Sequence, residues 1–275
     1  MATIVGEFTR LDPRADALSG TPRAHAIDRW IFVFMAVWYI AIVLTGFIPD
    51  SIMKVGMVQA GQRPPFPLVL HMHAVVMGSF LLTLLAQSWL MATGRKAMHM
   101  QLGLIGYGLA VLLVVVGVVL VPTIYHQVWQ GAHFGPPGAR EKLLQRIPEL
   151  DNVMLMQIQV GLLFPLLMGI AFKARERNSG IHKRLMFLAT AIPLVAGTVR
   201  IKALPETMPE SPLSLQLYVL ASVLPLFAWD VIRNRRVHEA YWIWLALYVP
   251  AAILINLAWN TPWWHATARG IMGAG

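Results

Sequence analysis

Seven apolar stretches, each close to the length of a bilayer crossing, dominate this sequence of 275 residues. A transmembrane helix needs about 20 predominantly apolar residues, so the pattern predicts an all-α integral membrane protein with seven transmembrane helices. The predicted spans cover residues 29–49, 66–91, 98–122, 152–173, 181–204, 212–233 and 238–259. We therefore expect a cytoplasmic amino-terminal arm (1–28), a seven-helix membrane domain (29–259) and an outer carboxyl-terminal tail (260–275).

The positions of Lys and Arg predict how these helices are oriented. Cytoplasmic segments of membrane proteins carry an excess of both residues. Most of the 22 in this chain lie on the same side of the predicted membrane as the amino terminus. The predicted outer side holds the rest, which are Lys54, Arg63, Arg140, Lys142, Arg146, Arg200, Lys202 and Arg269. The pattern predicts a bacterial inner-membrane protein with its amino terminus in the cytoplasm and its carboxyl terminus in the periplasm. The net charge of +9 favours contact with anionic lipid over nucleic acid.

Several classes of protein are excluded by residues that the sequence lacks. The absence of cysteine excludes disulfides, thiol nucleophiles and iron–sulfur clusters. The seventh apolar stretch has no lysine that could form the Schiff base of a retinal protein. The sequence also contains no Walker motif, no Rossmann glycine fingerprint and no HExxH zinc motif.

Two consecutive hairpins show a weak internal duplication. When the sequence is aligned with itself so that His99 lies on His182, Pro122 lies on Pro205. The second helix of each hairpin therefore begins near a histidine and ends near a proline. Both hairpins start on the same side of the membrane, which makes this a parallel repeat. The repeat predicts a central pseudo-twofold four-helix bundle built from a duplicated hairpin.

His99 and His182 are the first candidates for a cofactor site. Because they are equivalent in the repeat, they can face each other across the bundle axis and supply both axial ligands to the iron of haem b. A stripe of small residues follows His99 and leaves room for a flat cofactor; it consists of Gly103, Gly106, Ala110 and Gly117. Small stripes also let membrane helices pack closely, and histidines at this depth also anchor helices among lipid headgroups, so both alternatives stay open.

A second candidate site is predicted at the outer side. His71 and His73 point about 200° apart around a helix, so only one of them can face the interior of the bundle. His73 is favoured, because Gln87 follows it at two steps of seven residues and therefore lies on the same face of the helix. Arg200 follows His182 by 18 residues, which is about 27 Å along the same helix face. His73, Gln87 and Arg200 are therefore predicted to line an outer pocket for a quinone, a haem propionate or another anionic ligand. The alternative for Arg200 is contact with phosphate headgroups.

Three further interpretations concern single segments. Residues 123–151 are predicted to form a long outer loop that caps the membrane domain and carries a short amphipathic helix. If that loop folds back, His126 and His133 can join His71 or His73 in a metal site. Asp230 is predicted to form a local salt bridge with Arg233 at helical spacing.

The second, third and fifth predicted helices resemble an uncharacterised family of multi-pass bacterial membrane proteins that is known only as a domain of unknown function. The resemblance covers about residues 66–205 and rests on LHMHAVVMG, TGRKAMHMQLG and IHKRLMFLATAIPLVAGTVRI. Its matching positions are His73, His99, His182 and Arg200. Here His99 is followed by Met-Gln instead of a basic residue, and Leu185-Met186 replaces an aromatic-Met step.

The arrangement is also similar in outline to the bis-histidine di-haem membrane cytochromes. Those proteins place histidine pairs at both membrane sides, whereas the fourth predicted helix here contains no histidine, so one haem is expected. The leading hypothesis is thus electron transfer through haem b bound by His99 and His182, with a quinone as a possible partner. The competing hypothesis is a non-enzymatic accessory subunit of a larger membrane complex, or a protein that binds lipid or another apolar ligand.

Overall fold

The structure, a computed structural model, describes residues 16–18 and 25–274. The remainder of the predicted amino-terminal arm (1–15 and 19–24) and Gly275 lie outside the described residues. The described part of the chain is helical and contains no strand. Its helices are α1 (Ala26–Gln59), α2 (Leu68–Ala92), α3 (Lys96–Phe134), α4 (Pro137–Ala174), α5 (Ser179–Ala191), α6 (Val195–Thr198), α7 (Leu213–Asn234), α8 (Glu239–Ala258) and α9 (Pro262–Ile271).

Six of the helices, α1 to α4 with α7 and α8, are long and apolar enough to cross a membrane. The prediction of an all-α, multi-pass membrane protein is therefore confirmed. The predicted fifth span (181–204) instead forms α5, a 3-10 turn (Ile192–Leu194) and α6. Pro193 lies in that turn and has no N–H to donate to the preceding helix. Seven spans are not confirmed, because this segment is divided into shorter helices.

Helix α5 lies at the centre of the molecule, where it packs against α4, α8, α7 and α1. Its side chains Ile181, Leu185 and Leu188 are fully buried. Helix α3 lies at the edge and packs against α2 and α4, while Leu104 and Val118 on its surface are exposed. The predicted central bundle of four repeated helices is not confirmed, because α5 packs against α1, α7 and α8, which lie outside the repeat, as well as against α4.

The region 123–151 is helical, so the prediction of a long loop is wrong. Helix α3 continues to Phe134 and α4 begins at Pro137, so Gly135 and Pro136 alone form the connection. Proline at the first position of α4 is compatible with a helix start, because the N–H that it lacks has no partner there. At 1.5 Å per residue the two helices extend about 20 Å past the predicted spans. We call residues 123–151 the extended hairpin, and this end of the molecule the hairpin end.

Asp151 joins the extended hairpin to α9. Its side chain is fully buried and accepts a hydrogen bond of 2.7 Å from the hydroxyl of Tyr125. Arg269 and His265 of α9 approach its other carboxylate oxygen at 3.2 and 3.1 Å. The indole N–H of Trp264 donates to the Asp151 carbonyl at 2.7 Å. The predicted tail is thus a docked helix.

The opposite end, which we call the arm end, is fastened by a buried ion cluster. Arg184 of α5 is fully buried and donates to the equally buried carboxylate of Asp230 through Nε and Nη2, with 2.7 Å between Nη2 and Oδ1. It also donates to both carboxylate oxygens of Asp16, at 3.0 and 2.9 Å. The ammonium of Lys183 lies 2.5 Å from Asp16. These four residues, which we call the arm clamp, hold residues 16–18 against α5.

The predicted local bridge between Asp230 and Arg233 is wrong. Arg233 pairs instead with Asp28 at the start of α1, with 2.8 Å from Nε to Oδ1 and 2.8 Å from Nη2 to Oδ2. Asp230 faces α5, where Arg184 supplies its charge partner. Helical spacing allowed the local pair, but the two residues face different neighbouring helices.

Candidate functional site

His99 and His182 make the same contact in the two hairpins of the predicted repeat. His99 Nδ1 lies 3.3 Å from the carbonyl oxygen of Gln87, which belongs to the preceding helix α2. His182 Nδ1 lies 2.9 Å from the carbonyl oxygen of Ala171, which belongs to the preceding helix α4. Each histidine thus joins its own helix to the end of the helix before it.

These contacts define which ring nitrogen carries a hydrogen. A carbonyl oxygen can only accept, so Nδ1 is the donor in both rings, and Nε2 of each neutral imidazole keeps its lone pair. This is the tautomer in which a histidine binds a metal through Nε2 while its other nitrogen is held by a backbone carbonyl. His99 and His182 both lie in the first turn of the second helix of their hairpin. The structure therefore brings the two predicted ligands to the same end of the molecule.

The hydrogen bond from His182 also gives the Ala171 carbonyl a partner at the end of α4. This carbonyl is one of the last four of α4, which lack partners within the helix, and the N–H of Arg175 bonds to Phe172 instead. Phe172 contacts the His182 ring edge-on at 6.3 Å and the ring of Tyr107 at 4.7 Å, centroid to centroid. Phe172 of α4 thus flanks the half-buried His182 and is itself packed against Tyr107 of α3.

Gln87 lies beside His99 and not in the predicted outer pocket. Its carbonyl binds His99, while its side-chain Oε1 is buried and has no hydrogen-bond partner among the described residues. A Cβ atom at Gly103 would lie 3.2 Å from Gln87 Nε2, and one at Gly106 would lie 3.3 Å from Thr83. This part of the small-residue stripe therefore accommodates side chains of α2, and the prediction that the stripe is space for a flat cofactor is wrong there.

His73 and Arg200 lie towards the hairpin end, in different surroundings. His73 is half-buried, and its Nδ1 has no partner within the described residues, whereas His71 is exposed. Arg200 donates from Nε to Asp50 at 3.2 Å and lies over the ring of Phe47 at 4.4 Å. Since Gln87 follows His73 by 14 residues, about 21 Å along α2, the predicted pocket of His73, Gln87 and Arg200 is not formed.

The predicted outer metal site is also not formed. His133 stacks on Trp129 with 4.2 Å between ring centroids, and its Nδ1 lies 2.9 Å from the Trp129 carbonyl oxygen. His126 lies edge-on to Tyr125. Within the described part of the chain, no group of three or more His, Cys, Asp or Glu side chains could hold a metal ion. A pair of histidines that binds haem iron is a different kind of site.

The two charged centres of the structure, Arg184 and Asp151, are not among the site residues predicted from sequence. Each lies at the end of an apolar segment, where a charged residue is usually assigned to the membrane surface. A signal was present in both cases, since IHKR and ELDN place charges just inside the predicted fifth segment and just outside the fourth. The sequence did not indicate their partners, which come from distant segments.

Three comparisons with known proteins give no relative for this chain. No family model matches it, no curated protein is significantly similar to it, and no solved structure has a significantly similar fold. The resemblance to an uncharacterised membrane protein family stays a prediction.

Proposed function

We propose that this protein is a membrane-embedded electron carrier that binds haem b through His99 and His182. By the distribution of Lys and Arg, the arm end faces the cytoplasm of a bacterial inner membrane and the hairpin end faces the periplasm. The observation that carries the proposal is the shared contact of the two histidines. Both rings donate through Nδ1 to a backbone carbonyl and keep Nε2 for a ligand.

The donor chemistry fits a haem with two axial histidines. Two neutral imidazole nitrogens from different helices are the ligand set of bis-histidine haem proteins in membranes. A bound haem b supplies one-electron chemistry at its iron. The residues of this chain hold the two rings: the carbonyls of Gln87 and Ala171 fix their orientation, and Phe172 contacts the edge of His182.

Gln87 supports a quinol as the redox partner of this site. Its buried Oε1 is a hydrogen-bond acceptor with no partner among the described residues, and a buried unpaired acceptor is costly. A hydroquinone carries O–H donors that can satisfy it. In this proposal the quinone site is at the arm end, beside His99, and not at the predicted outer position.

The test is to compare histidine variants of the full chain, purified after expression with haem supplied. His99→Ala and His182→Ala should each lose the haem absorption bands, while His71→Ala, which removes an exposed histidine, should keep them. Circular dichroism melting would show that the variants fold. Haem bands of equal intensity in the wild type and both alanine variants would contradict the assignment.

A second candidate function is that of an accessory subunit. Phe134, at the tip of the extended hairpin, is 85% exposed, so its ring is available to a protein partner, and aromatic side chains are enriched at protein interfaces. A photo-activated cross-linker at Phe134 would then capture one membrane protein in stoichiometric amount. The same cross-linker at Arg140, which is also exposed on the hairpin, serves as control, and equal capture at both positions would contradict this function.

A further inference from the structure

Helix α9 presents an outer side that carries no charge. Its exposed residues are all apolar or small, and they are Pro262, Trp263, Ala266, Gly270 and Ile271. Trp263 is 66% exposed and Ile271 is 60% exposed. A helix at the surface of a protein in water usually turns its polar side chains outward. We call these five residues the apolar face of α9, and their pattern is the opposite.

The polar side chains of α9 have partners within the protein. His265 and Arg269 approach the buried carboxylate of Asp151 at 3.1 and 3.2 Å. Thr267, beside the apolar face, donates its hydroxyl to the Trp263 carbonyl at 2.8 Å, so this group is satisfied within the helix. Lipid offers no hydrogen bonds, and a surface in contact with it must have its polar groups paired internally. The outer side of α9 meets this requirement.

Helix α9 also lies at the level where membrane-crossing helices end. It follows α8 after a short turn, in which the Asn260 N–H donates to Oδ1 of Asn152 at 3.1 Å. The hydrophobic cluster under its inner side includes Met154 of α4 and has Val121 of α3 packed against it. Both residues lie inside the predicted third and fourth spans. Helix α9 is therefore beside the ends of these spans and not at the tip of the extended hairpin.

The apolar face continues a surface that faces lipid. Helix α8 is long and apolar enough to cross a membrane, and its last turns expose Leu254 and Leu257. Residues 259–261 alone separate α8 from α9. Exposed apolar side chains thus run along the chain from the end of α8 into α9. Because lipid covers the exposed leucines of a membrane span, the adjoining face of α9 has the same occupant at hand.

We propose that α9 is an interfacial helix whose apolar face lies in the lipid bilayer at the hairpin end, with Trp263 and Ile271 as the side chains that enter it. Tryptophan is enriched at the boundary between acyl chains and headgroups, and interfacial helices bury their apolar side about 5–10 Å deep there. The predicted outer tail (260–275) is then a membrane anchor for the base of the extended hairpin. The proposal does not depend on a cofactor at His99 and His182.

The absence of cysteine from the sequence permits a labelling test in the full chain. Ala266→Cys places one thiol on the apolar face, where it is labelled with an environment-sensitive fluorophore. The protein is reconstituted in nanodiscs of phosphatidylglycerol and phosphatidylethanolamine, and quenching by iodide in water is compared with quenching by a spin-labelled phospholipid. Leu257→Cys on α8 is the lipid-facing control, and Glu141→Cys, which is exposed on the extended hairpin, is the water-facing control.

The two quenchers distinguish lipid, water and protein as the occupant of the apolar face. The Ala266→Cys label should lose fluorescence with the spin-labelled lipid, as the Leu257→Cys label does, and should resist iodide. The Glu141→Cys label should show the reverse. Quenching of the Ala266→Cys label by iodide but not by lipid would overturn the proposal, because the face would then be in water. Protection from both quenchers would also overturn it, because a second copy or another protein would then cover the face.

A second labelling position and a pair of substitutions make the test independent of one variant. A Cβ atom at Gly270 would meet no described atom within 4 Å, so Gly270→Cys carries the label if Ala266→Cys does not fold. Trp263→Gln/Ile271→Gln should reduce quenching of the label by lipid. Phe134→Gln changes an exposed aromatic residue at the hairpin tip and should leave it unchanged. Equal quenching by lipid with and without Trp263 and Ile271 would contradict their assignment.

Discussion

Arg184 and Asp230 form an ion pair in which both side chains are completely shielded from solvent. Two charges buried in this way must satisfy each other, because moving either one out of water alone is costly. The pair joins α5 to α7, and the second carboxylate of the arm clamp, Asp16, extends it to the amino-terminal arm. Arg184 therefore ties α5 both to α7 and to the amino-terminal arm.

Replacing Arg184 should destabilise the protein strongly. Arg184→Met leaves the buried Asp230 carboxylate without its cation, and the free energy of unfolding should fall by about 3–5 kcal/mol. Arg175→Met is the control, since Arg175 pairs with Glu176 on an exposed surface and should cost about 0–1 kcal/mol. Thermal melting in detergent measures both, and similar losses in the two variants would show that the buried pair has no special role.

Stability should fall in acid because of Asp16. Burial alone raises the pKa of Asp16, but hydrogen bonds and positive charge from Arg184 and Lys183 outweigh it, so the pKa lies well below its ordinary value of 3.8. A carboxylate with a lowered pKa stabilises the folded state above its unfolded pKa, and this contribution is lost as the pH falls below about 4. Unfolding measured from pH 7 downwards should show a smaller decline in Asp16→Asn. Identical pH dependence in both proteins would contradict this role.

Two glycines of α1 should respond to alanine in opposite directions. A Cβ atom at Gly46 would lie 2.9 Å from the carbonyl carbon of Gly197, which is backbone of α6 and cannot move aside. Gly46→Ala should therefore destabilise by about 1–3 kcal/mol or more. At Gly56 a Cβ atom would meet no described atom within 4 Å, so Gly56→Ala should stabilise by about 0.4–1 kcal/mol. Thermal melting of the two variants measures both changes in stability. An unchanged stability of Gly46→Ala would mean that α1 and α6 are not in close contact.

Removing the Asp151 carboxylate should release α9. Asp151→Ala removes the acceptor of Tyr125, His265 and Arg269, with an expected loss of about 1–3 kcal/mol. Limited proteolysis should then cleave within α9 at enzyme concentrations that leave the wild type intact. Glu149→Ala, at an exposed position of the same helix, is the control, and protection of α9 in both variants would show that Asp151 does not hold it.

The membrane class and most helices could be predicted from sequence, because a helix that crosses lipid must be apolar over its whole length. The fifth predicted span is not confirmed, because it is divided into α5, a 3-10 turn and α6. Hydropathy measures suitability for lipid, whereas α5 is enclosed by protein and its Lys183 and Arg184 find carboxylates on other segments. Those partners are separated from it by long stretches of sequence, and Asp16 is 168 residues from Arg184.

The extended hairpin and the site show two other limits of the sequence. Gly135 and Pro136 separate α3 from α4, but Pro148 lies inside α4, so proline alone does not end a helix. The equivalence of His99 and His182 could be predicted from their positions at the helix starts. The placement of Gln87 could not, because a step of seven residues predicts the face of a helix but not which neighbour lies at each depth.

The absorption spectrum of the purified wild-type protein tests the central claim most directly. The oxidised and dithionite-reduced spectra are recorded after expression with haem supplied, and a pyridine haemochrome assay gives the haem content. If His99 and His182 hold haem b, the Soret band should sharpen and shift on reduction, with about one haem per chain, as expected for a single pair of axial histidines. A colourless protein that is folded by circular dichroism would contradict the account.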